Sequence, residues 1–159
     1  MILRPARPED APAMAALLNQ IIRIGGTTAH QREKPAAQVR GDYIDGPGTL
    51  CCHVAEDQGD LIGFQALGRN AALPEDWGDI GTFVRPGLQA RGTGAALFQA
   101  TLAAARAAGL RAINATIRAD NVPGLAYYAR LGFVDYAHDP DWALGDGTVT
   151  GRISRRFDL

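Results

Sequence analysis

Neither sign of charge is in excess here: sixteen Lys and Arg stand against seventeen Asp and Glu, a net charge of −1. That balance excludes the basic footprint of a general nucleic-acid binder. Cysteine is almost absent. Cys51 and Cys52 are adjacent, and in a strand their side chains point to opposite faces. A vicinal disulfide would be strained, and no second pair exists to complete a metal site. They read as small buried hydrophobes of a reducing compartment. Long hydrophobic runs are missing too. No window is apolar enough to cross a bilayer, and no cationic run leads into an apolar core at the N-terminus. A cytoplasmic protein without membrane contact is expected. Lys34 is the only lysine, a skew toward arginine that carries no functional weight.

What remains is an ordinary globular composition, 47% hydrophobic and 21% charged over 159 residues. One domain with one substantial core accounts for that length. No repeat, linker or low-complexity segment marks a boundary, so residues 1–159 are taken as a single domain. Met1–Ala6 reads as a strand. Arg7-Pro8-Glu9-Asp10 then starts a helix with acids in its first turn. Met14, Leu17, Leu18, Ile21 and Ile22 follow at helical spacing, and Gly25-Gly26 stops it. Thr27–Lys34 has no period and reads as a loop, a plausible substrate lip. Pro35–Ile44 is a second, weaker helix. Leu50–Glu56 and Leu61–Leu67 are strands joined by the hairpin turn Asp57-Gln58-Gly59-Asp60. Gly78–Val84 is a strand, Gly92–Ala108 a helix with Gly109 past its end, and Leu110–Ile117 a strand. Val122–Leu131 is a short helix, with strands at Phe133–Ala137 and Val149–Phe157. A meander in the middle with crossovers near the end predicts an α/β fold, a mixed and mostly antiparallel central sheet flanked by helices.

The chain is organised around residues 84–98. The strand before them ends at Pro86, which cannot donate a ladder hydrogen bond. An Ala-rich helix then opens out of Gly92-Thr93-Gly94. The first N–H groups of a helix have no intrahelical partner, and the macrodipole places partial positive charge there. Glycines remove the Cβ atoms that would hold a phosphate off the backbone, and Arg91 adds a fixed cation. This is an anion cradle, though a plain strand–turn–helix junction would look similar. It is not a nucleotide P-loop, because no Gly-Lys-Ser/Thr follows. Nor is it the Rossmann fingerprint, which needs a third glycine three residues on.

The pattern Gln89-x-x-Gly92-x-Gly94, after a strand ending in Val84, resembles the acetyl-CoA pyrophosphate motif of the GNAT superfamily of N-acetyltransferases. A second stretch agrees. Asn121 is a competent N-cap, and Pro123 is tolerated in a first helical turn. Tyr128 stands seven residues after Asn121, with Gly132-Phe133 at eleven and twelve. That spacing resembles the C-terminal motif of the same superfamily, one helix and one strand after the first. Asn19–Ala29, with its Ile-Gly-Gly-Thr-Thr, is similar to the corresponding region of phosphinothricin-type acetyltransferases. The resemblance implies the GNAT, or acyl-CoA N-acyltransferase, fold over most of the chain.

It also implies roles. Phe83 and Val84 would lend backbone groups to the pantetheine arm of acetyl-CoA, the cosubstrate. Backbone N–H groups of Gln89 through Gly94, Thr93 among them, would hold the pyrophosphate with Arg91. Asn121 would approach the pantetheine. Tyr128 would be the general acid for the departing thiolate in a direct transfer that needs neither cysteine as nucleophile. A primary amine, with a pKa of about 10.4 for lysine, must lose a proton before attack. Asp79, five residues before Val84 where phosphinothricin-type enzymes place a glutamate, is the first candidate base; a solvated carboxylate at a strand start is the plainer alternative. His30 and Glu33 are weaker candidates from the loop, and His53 and His138 lack motif context.

The acceptor is the least legible part. The residues from Tyr136 to Leu159 depart from the phosphinothricin-type pattern. Asp135, Asp139, Asp141 and Asp146 would suit a cationic amine or be ordinary turn residues. Trp77 and Trp142 would line a pocket or simply pack. The expected activity is transfer of acetyl to a small amine, such as an amino acid. The alternatives are a protein N-terminal or lysine acetyltransferase, or a silent acyl-CoA-binding sensor. Homodimers are common in the superfamily, and no residue here points to an oligomeric state.

Overall fold

A computed structural model describes residues 1–88 and 91–159. Strand β1 (Ile2–Pro5) leads through a 3-10 turn at Pro8–Asp10 into α1 (Ala11–Ile24). Met14, Leu17, Leu18 and Ile22 are buried on one side of α1, as their helical spacing requires. Gly25, at φ +73°, ends it. The second expected helix is only partly α-helical. Helix α2 (Ala36–Val39) widens into a π-helical turn over Arg40–Ile44, closed by the Asp45 N–H on the Arg40 carbonyl at 3.1 Å. The cause lies just beyond: Gly46 folds back so tightly that a Cβ there would sit 1.9 Å from the Gly41 carbonyl oxygen.

Strands β2 (Thr49–Asp57) and β3 (Asp60–Gly68) form the expected hairpin. Its turn residues Gln58 and Gly59 both take positive φ, the left-handed pair that matches strand twist. Strand β4 (Trp77–Val84), α3 (Thr93–Ala107), β5 (Ala112–Arg118), α4 (Val122–Leu131) and β6 (Val134–Asp139) follow. Strand β7 (Arg152–Asp158) starts three residues later than Val149, where the sequence pattern begins. Val149 makes only an isolated bridge to Ala143, and Gly151 at φ +68° intervenes.

The sheet order is β1-β2-β3-β4-β5-β7-β6, antiparallel throughout except between β4 and β5. The expected mixed, mostly antiparallel sheet is therefore present. Helices α1 and α2 cover one face, over Cys52, Val54, Phe64 and Ala66. Helices α3 and α4 cover the other, over Leu67, Ile80, Ile113, Ala115 and Ile117. Cys51 and Cys52 pack into opposite clusters, and both are free thiols. Among the described residues no helix is long and apolar enough to cross a membrane.

One junction sets up everything below. Strand β4 pairs with β3 from Asp79 to Val84. It pairs with β5 only at Trp77, Gly78 and Asp79, opposite Ala112, Ile113 and Asn114. Beyond Asp79 the two parallel strands part, and β5 continues against β7 alone.

Candidate active site

Among the described residues, the parted strands leave one edge of Ile80–Val84 without a strand beside it. The chain turns directly after that edge, with the Arg85 N–H on the Ile62 carbonyl at 2.8 Å and the Leu88 N–H on the Arg85 carbonyl at 3.0 Å. Gln89 lies outside the described residues. Exposed Arg91 and Gly92 bring the chain to α3. Gly92 is the N-cap at φ +80° and brings no capping side chain of its own. The leading N–H groups of α3 have no intrahelical partner and carry the partial positive charge that suits an anion.

The two glycines of the motif serve different ends. A Cβ at Gly92 would meet nothing within 4 Å, so this glycine is set by its left-handed backbone beside open space. A Cβ at Gly94 would lie 2.7 Å from the Tyr127 ring. Gly94 is small so that α4 can press a tyrosine against α3. Thr93 is buried at the same place.

Tyr128, on α4, is buried among Phe98, Ile113, Ala115 and Phe133. Its Oη lies 2.9 Å from the Thr82 Oγ1, on the stretch of β4 that pairs with β3 but no longer with β5. Burial raises its pKa above the ordinary tyrosine value. The Thr82 hydrogen bond opposes that, while Tyr127 and the charge of Asp79 add to it. The hydroxyl therefore holds its proton at neutral pH and can act as an acid. Beside it the Tyr127 hydroxyl donates to the Gly94 carbonyl at 2.7 Å and accepts from the Gln65 Nε2 at 3.0 Å.

Asp79 stands where the strands part, on the opposite face. Ile80 packs toward α3 and α4, so its neighbour Asp79 points the other way. Its Oδ1 accepts from the Asn114 Nδ2 at 2.9 Å and its Oδ2 from the Asn70 Nδ2 at 3.2 Å. Asn114 is almost wholly buried and also donates to the Thr116 Oγ1. The Tyr136 hydroxyl donates to the Asn114 Oδ1. Burial raises the Tyr136 pKa, and the Asp79 charge raises it further. Asp79 thus acts electrostatically on a tyrosine at each face of the sheet. A carboxylate on one side of the opening and a protonated phenol on the other is the pairing that acid–base chemistry requires.

The loop after α1 closes over this second face. The Arg118 Nη1 donates to the Thr28 carbonyl at 2.9 Å and the Asn121 Nδ2 to the Thr27 carbonyl at 3.1 Å. Asn121 also caps α4, accepting from the Gly124 N–H at 3.0 Å. At the loop's far side the Gln31 Oε1 accepts from the Asp146 N–H at 2.9 Å. A cavity of about 760 Å³ sits here, lined by residues 29–34, Gln38, Gly145 and Asp146. It adjoins neither Asp79 nor Tyr128.

Of the loop candidates, Glu33 is paired with Arg23. His30 lies 3.3 Å from the Tyr43 hydroxyl, its pKa lowered by burial first and Lys34 second. Asp135 and Asp139 are paired with Arg155 and Arg152, so of the four candidate aspartates Asp146 is the one lining the cavity. Trp77 packs against Tyr136 and Arg156 and Trp142 against Arg152; neither lines it. Burial pushes the Cys51 thiol up to about 11 and Cys52 to about 12, so neither supplies a thiolate nucleophile at neutral pH.

Sequence reasoning missed Gln65, Thr82, Asn114 and Tyr136. A signal for two of them exists: Gln65 and Asn114 are the lone amides in otherwise apolar strand runs, where burying an amide is costly unless it is bonded.

The comparisons with known proteins agree with one another. A family model described as "Acetyltransferase (GNAT) family" matches residues 15–133. The chain is 29% identical over 144 residues to an L-methionine sulfoximine/L-methionine sulfone acetyltransferase of Pseudomonas aeruginosa, covering 82% of this chain and 78% of that protein. It is 34% identical over 143 residues to a mycothiol acetyltransferase of Actinosynnema mirum, 88% of this chain but 46% of that longer one. In fold it matches a phosphinothricin acetyltransferase of Sinorhizobium meliloti solved with acetyl-CoA. The TM-score is 0.84 at 19% identity, over 99% of this chain and 88% of the other.

Proposed function

The chain belongs to the GNAT acetyltransferase family and is an N-acetyltransferase, and we propose that it moves acetyl from acetyl-CoA directly to the amine of a small, amino-acid-like molecule. The observation that carries this reading is the parting of β4 and β5 beyond Asp79. Among the described residues it leaves an unpaired strand edge leading to a helix N-terminus capped only by glycine, between a phenol and a carboxylate. The edge at Phe83 and Val84 offers backbone groups to an extended pantetheine. The N–H groups of Gly92, Thr93 and Gly94, with Arg91 and Gln89, would hold the pyrophosphate. The open space at Gly92 and an N-cap that brings no side chain of its own fit that group. Asn121 anchors the start of α4 near the arm.

Acetyl-CoA, when bound, supplies the acetyl thioester. Asp79, held by Asn114 and Asn70, takes a proton from the incoming ammonium, directly or through water. Tyr128 keeps its proton until the carbon–sulfur bond breaks and then delivers it to the sulfur. The tethers at Thr27, Thr28 and Gln31 favour a compact acceptor over a peptide lying in an open groove. The small molecules for which the relatives are named favour the same choice.

The test is thiol release from acetyl-CoA with a panel of acceptors: L-methionine sulfone, L-methionine sulfoximine, phosphinothricin, amino acids, polyamines and a peptide with a free N-terminus. Turnover with a small amine and none with the peptide is expected. Preference for the peptide would make it a protein acetyltransferase. Thermal stabilisation by acetyl-CoA without thiol release would make it a binding module. No stabilisation at millimolar acetyl-CoA would reject the reading.

A further inference from the structure

Gln65 is completely buried on β3, and its Oε1 has no hydrogen-bond partner among the described residues. A buried amide with one end unpaired costs stability, so the bonds at its other end deserve an account. The Nε2 donates to the Thr82 Oγ1 at 2.9 Å and to the Tyr127 Oη at 3.0 Å. Tyr127 spends its own proton on the Gly94 carbonyl, so it can only accept from Gln65, and this holds the amide's NH₂ end toward Thr82. With one lone pair of Thr82 filled by Gln65, its hydroxyl proton is free to turn toward Tyr128, 2.9 Å away.

We infer that Thr82 and Gln65 are positioning residues: Gln65 orients the Thr82 hydroxyl, and Thr82 holds the Tyr128 hydroxyl and donates to the phenolate left when its proton goes. The inference rests on Tyr128 being the acid of the proposed reaction. The amine nitrogen first bonds the acetyl carbon; as that adduct collapses the carbon–sulfur electron pair leaves with sulfur, the Tyr128 O–H bond breaks and the S–H bond forms, while the nitrogen's second proton goes to solvent. Thr82 keeps its own proton throughout and only turns it. Solvent reprotonates Tyr128. Nothing else is consumed.

The test compares Thr82→Val, which keeps shape but loses the hydroxyl, with Thr82→Ser, which keeps the hydroxyl. The acceptor is whichever amine of the panel turns over fastest. Thr82→Val is expected to lower kcat about tenfold, the value of one hydrogen bond. The KM and calorimetric affinity for coenzyme A should stay unchanged, and Thr82→Ser should recover most of the loss. In a Tyr128→Phe background Thr82→Val should cost nothing more. In the free protein, the ¹³Cζ resonance assigned to Tyr128 should move in Thr82→Val and stay in Thr82→Ser. An equal further loss in the Tyr128→Phe background, or an unmoved resonance, overturns the inference. If Tyr128→Phe slows turnover but Thr82→Val does not, this inference alone falls. If Tyr128→Phe turns over normally, the acid role in the proposed reaction falls first.

Discussion

The two faces of the sheet at the parted strands are built by different means. On the α3 and α4 face, the helix ends are set by neighbours in sequence, even though long-range bonds such as Tyr127 to Gly94 cross it: Gly92 turns left-handed to start α3, and Gly132 does the same to end α4. Asn121 caps the amide three residues on. On the other face, contacts join residues far apart in the chain: Asp79 to Asn114, Arg118 to Thr28 and Gln31 to Asp146. A face that grips an unchanging diphosphate can be made of backbone, whose geometry only a few residue types permit. A face that selects one amine is assembled from loops and side chains. The first leaves a pattern in sequence; the second leaves scattered polar residues.

That contrast can be broken from either side. The largest expected effect is Tyr128→Phe: kcat should fall about a hundredfold, the usual scale for a lost general acid, with coenzyme affinity spared. Steady-state kinetics and calorimetry read the two separately. Next, Gly92→Asp puts a side chain on a left-handed backbone and a negative charge at the helix mouth. Affinity for acetyl-CoA should drop about a hundredfold, roughly 2.7 kcal/mol, while turnover at saturation changes little. Gly94 is the control with another cause: Gly94→Ala should lower Tm through Tyr127 rather than weaken phosphate binding selectively. On the Asp79 face, Asn114→Leu takes the Asn114 donor from the Asp79 Oδ1 and the Asn114 acceptor from the Tyr136 hydroxyl. About a tenfold loss of kcat, with unchanged KM for acetyl-CoA, is expected from a cost of about 1–2 kcal/mol.

The smallest effect sharpens the comparison with pH. His30 lies on the loop after α1 and His53 on the α3 side, and burial lowers the pKa of both below 6.5. Each binds a proton less readily folded than unfolded, so stability is fully present above pH 6.5 and lost as pH falls below it. Tm should fall by about 2–4 °C between pH 7 and pH 5. The His30→Gln, His53→Gln double variant should flatten that slope, and an unchanged slope would exclude these two groups.

Sequence alone carried the helices, the hairpin at Gln58-Gly59 and both GNAT motifs, because each depends on local backbone conformation. The π turn at Arg40–Ile44 escaped it. That turn follows from Gly46 folding onto Gly41, a contact with no periodic signature. So did the place of β7 between β5 and β6, which only tertiary packing decides. Asp79 was legible as a position; its partner Asn114 stood out only as a lone amide in an apolar strand run, and the sequence does not say which group it bonds. Asn121 was legible as a cap, yet its second bond, to Thr27, crosses ninety-four positions.

The sheet's short middle seam has a consequence for isotope exchange. Main-chain amides that face the gap between Ile80 and Val84 have no neighbouring strand to shield them, so whatever occupies the gap completes the missing rungs. Occupancy should then appear as slowed deuterium uptake confined to that one edge, and a coenzyme that folds into the ladder becomes a borrowed part of the protein's own architecture.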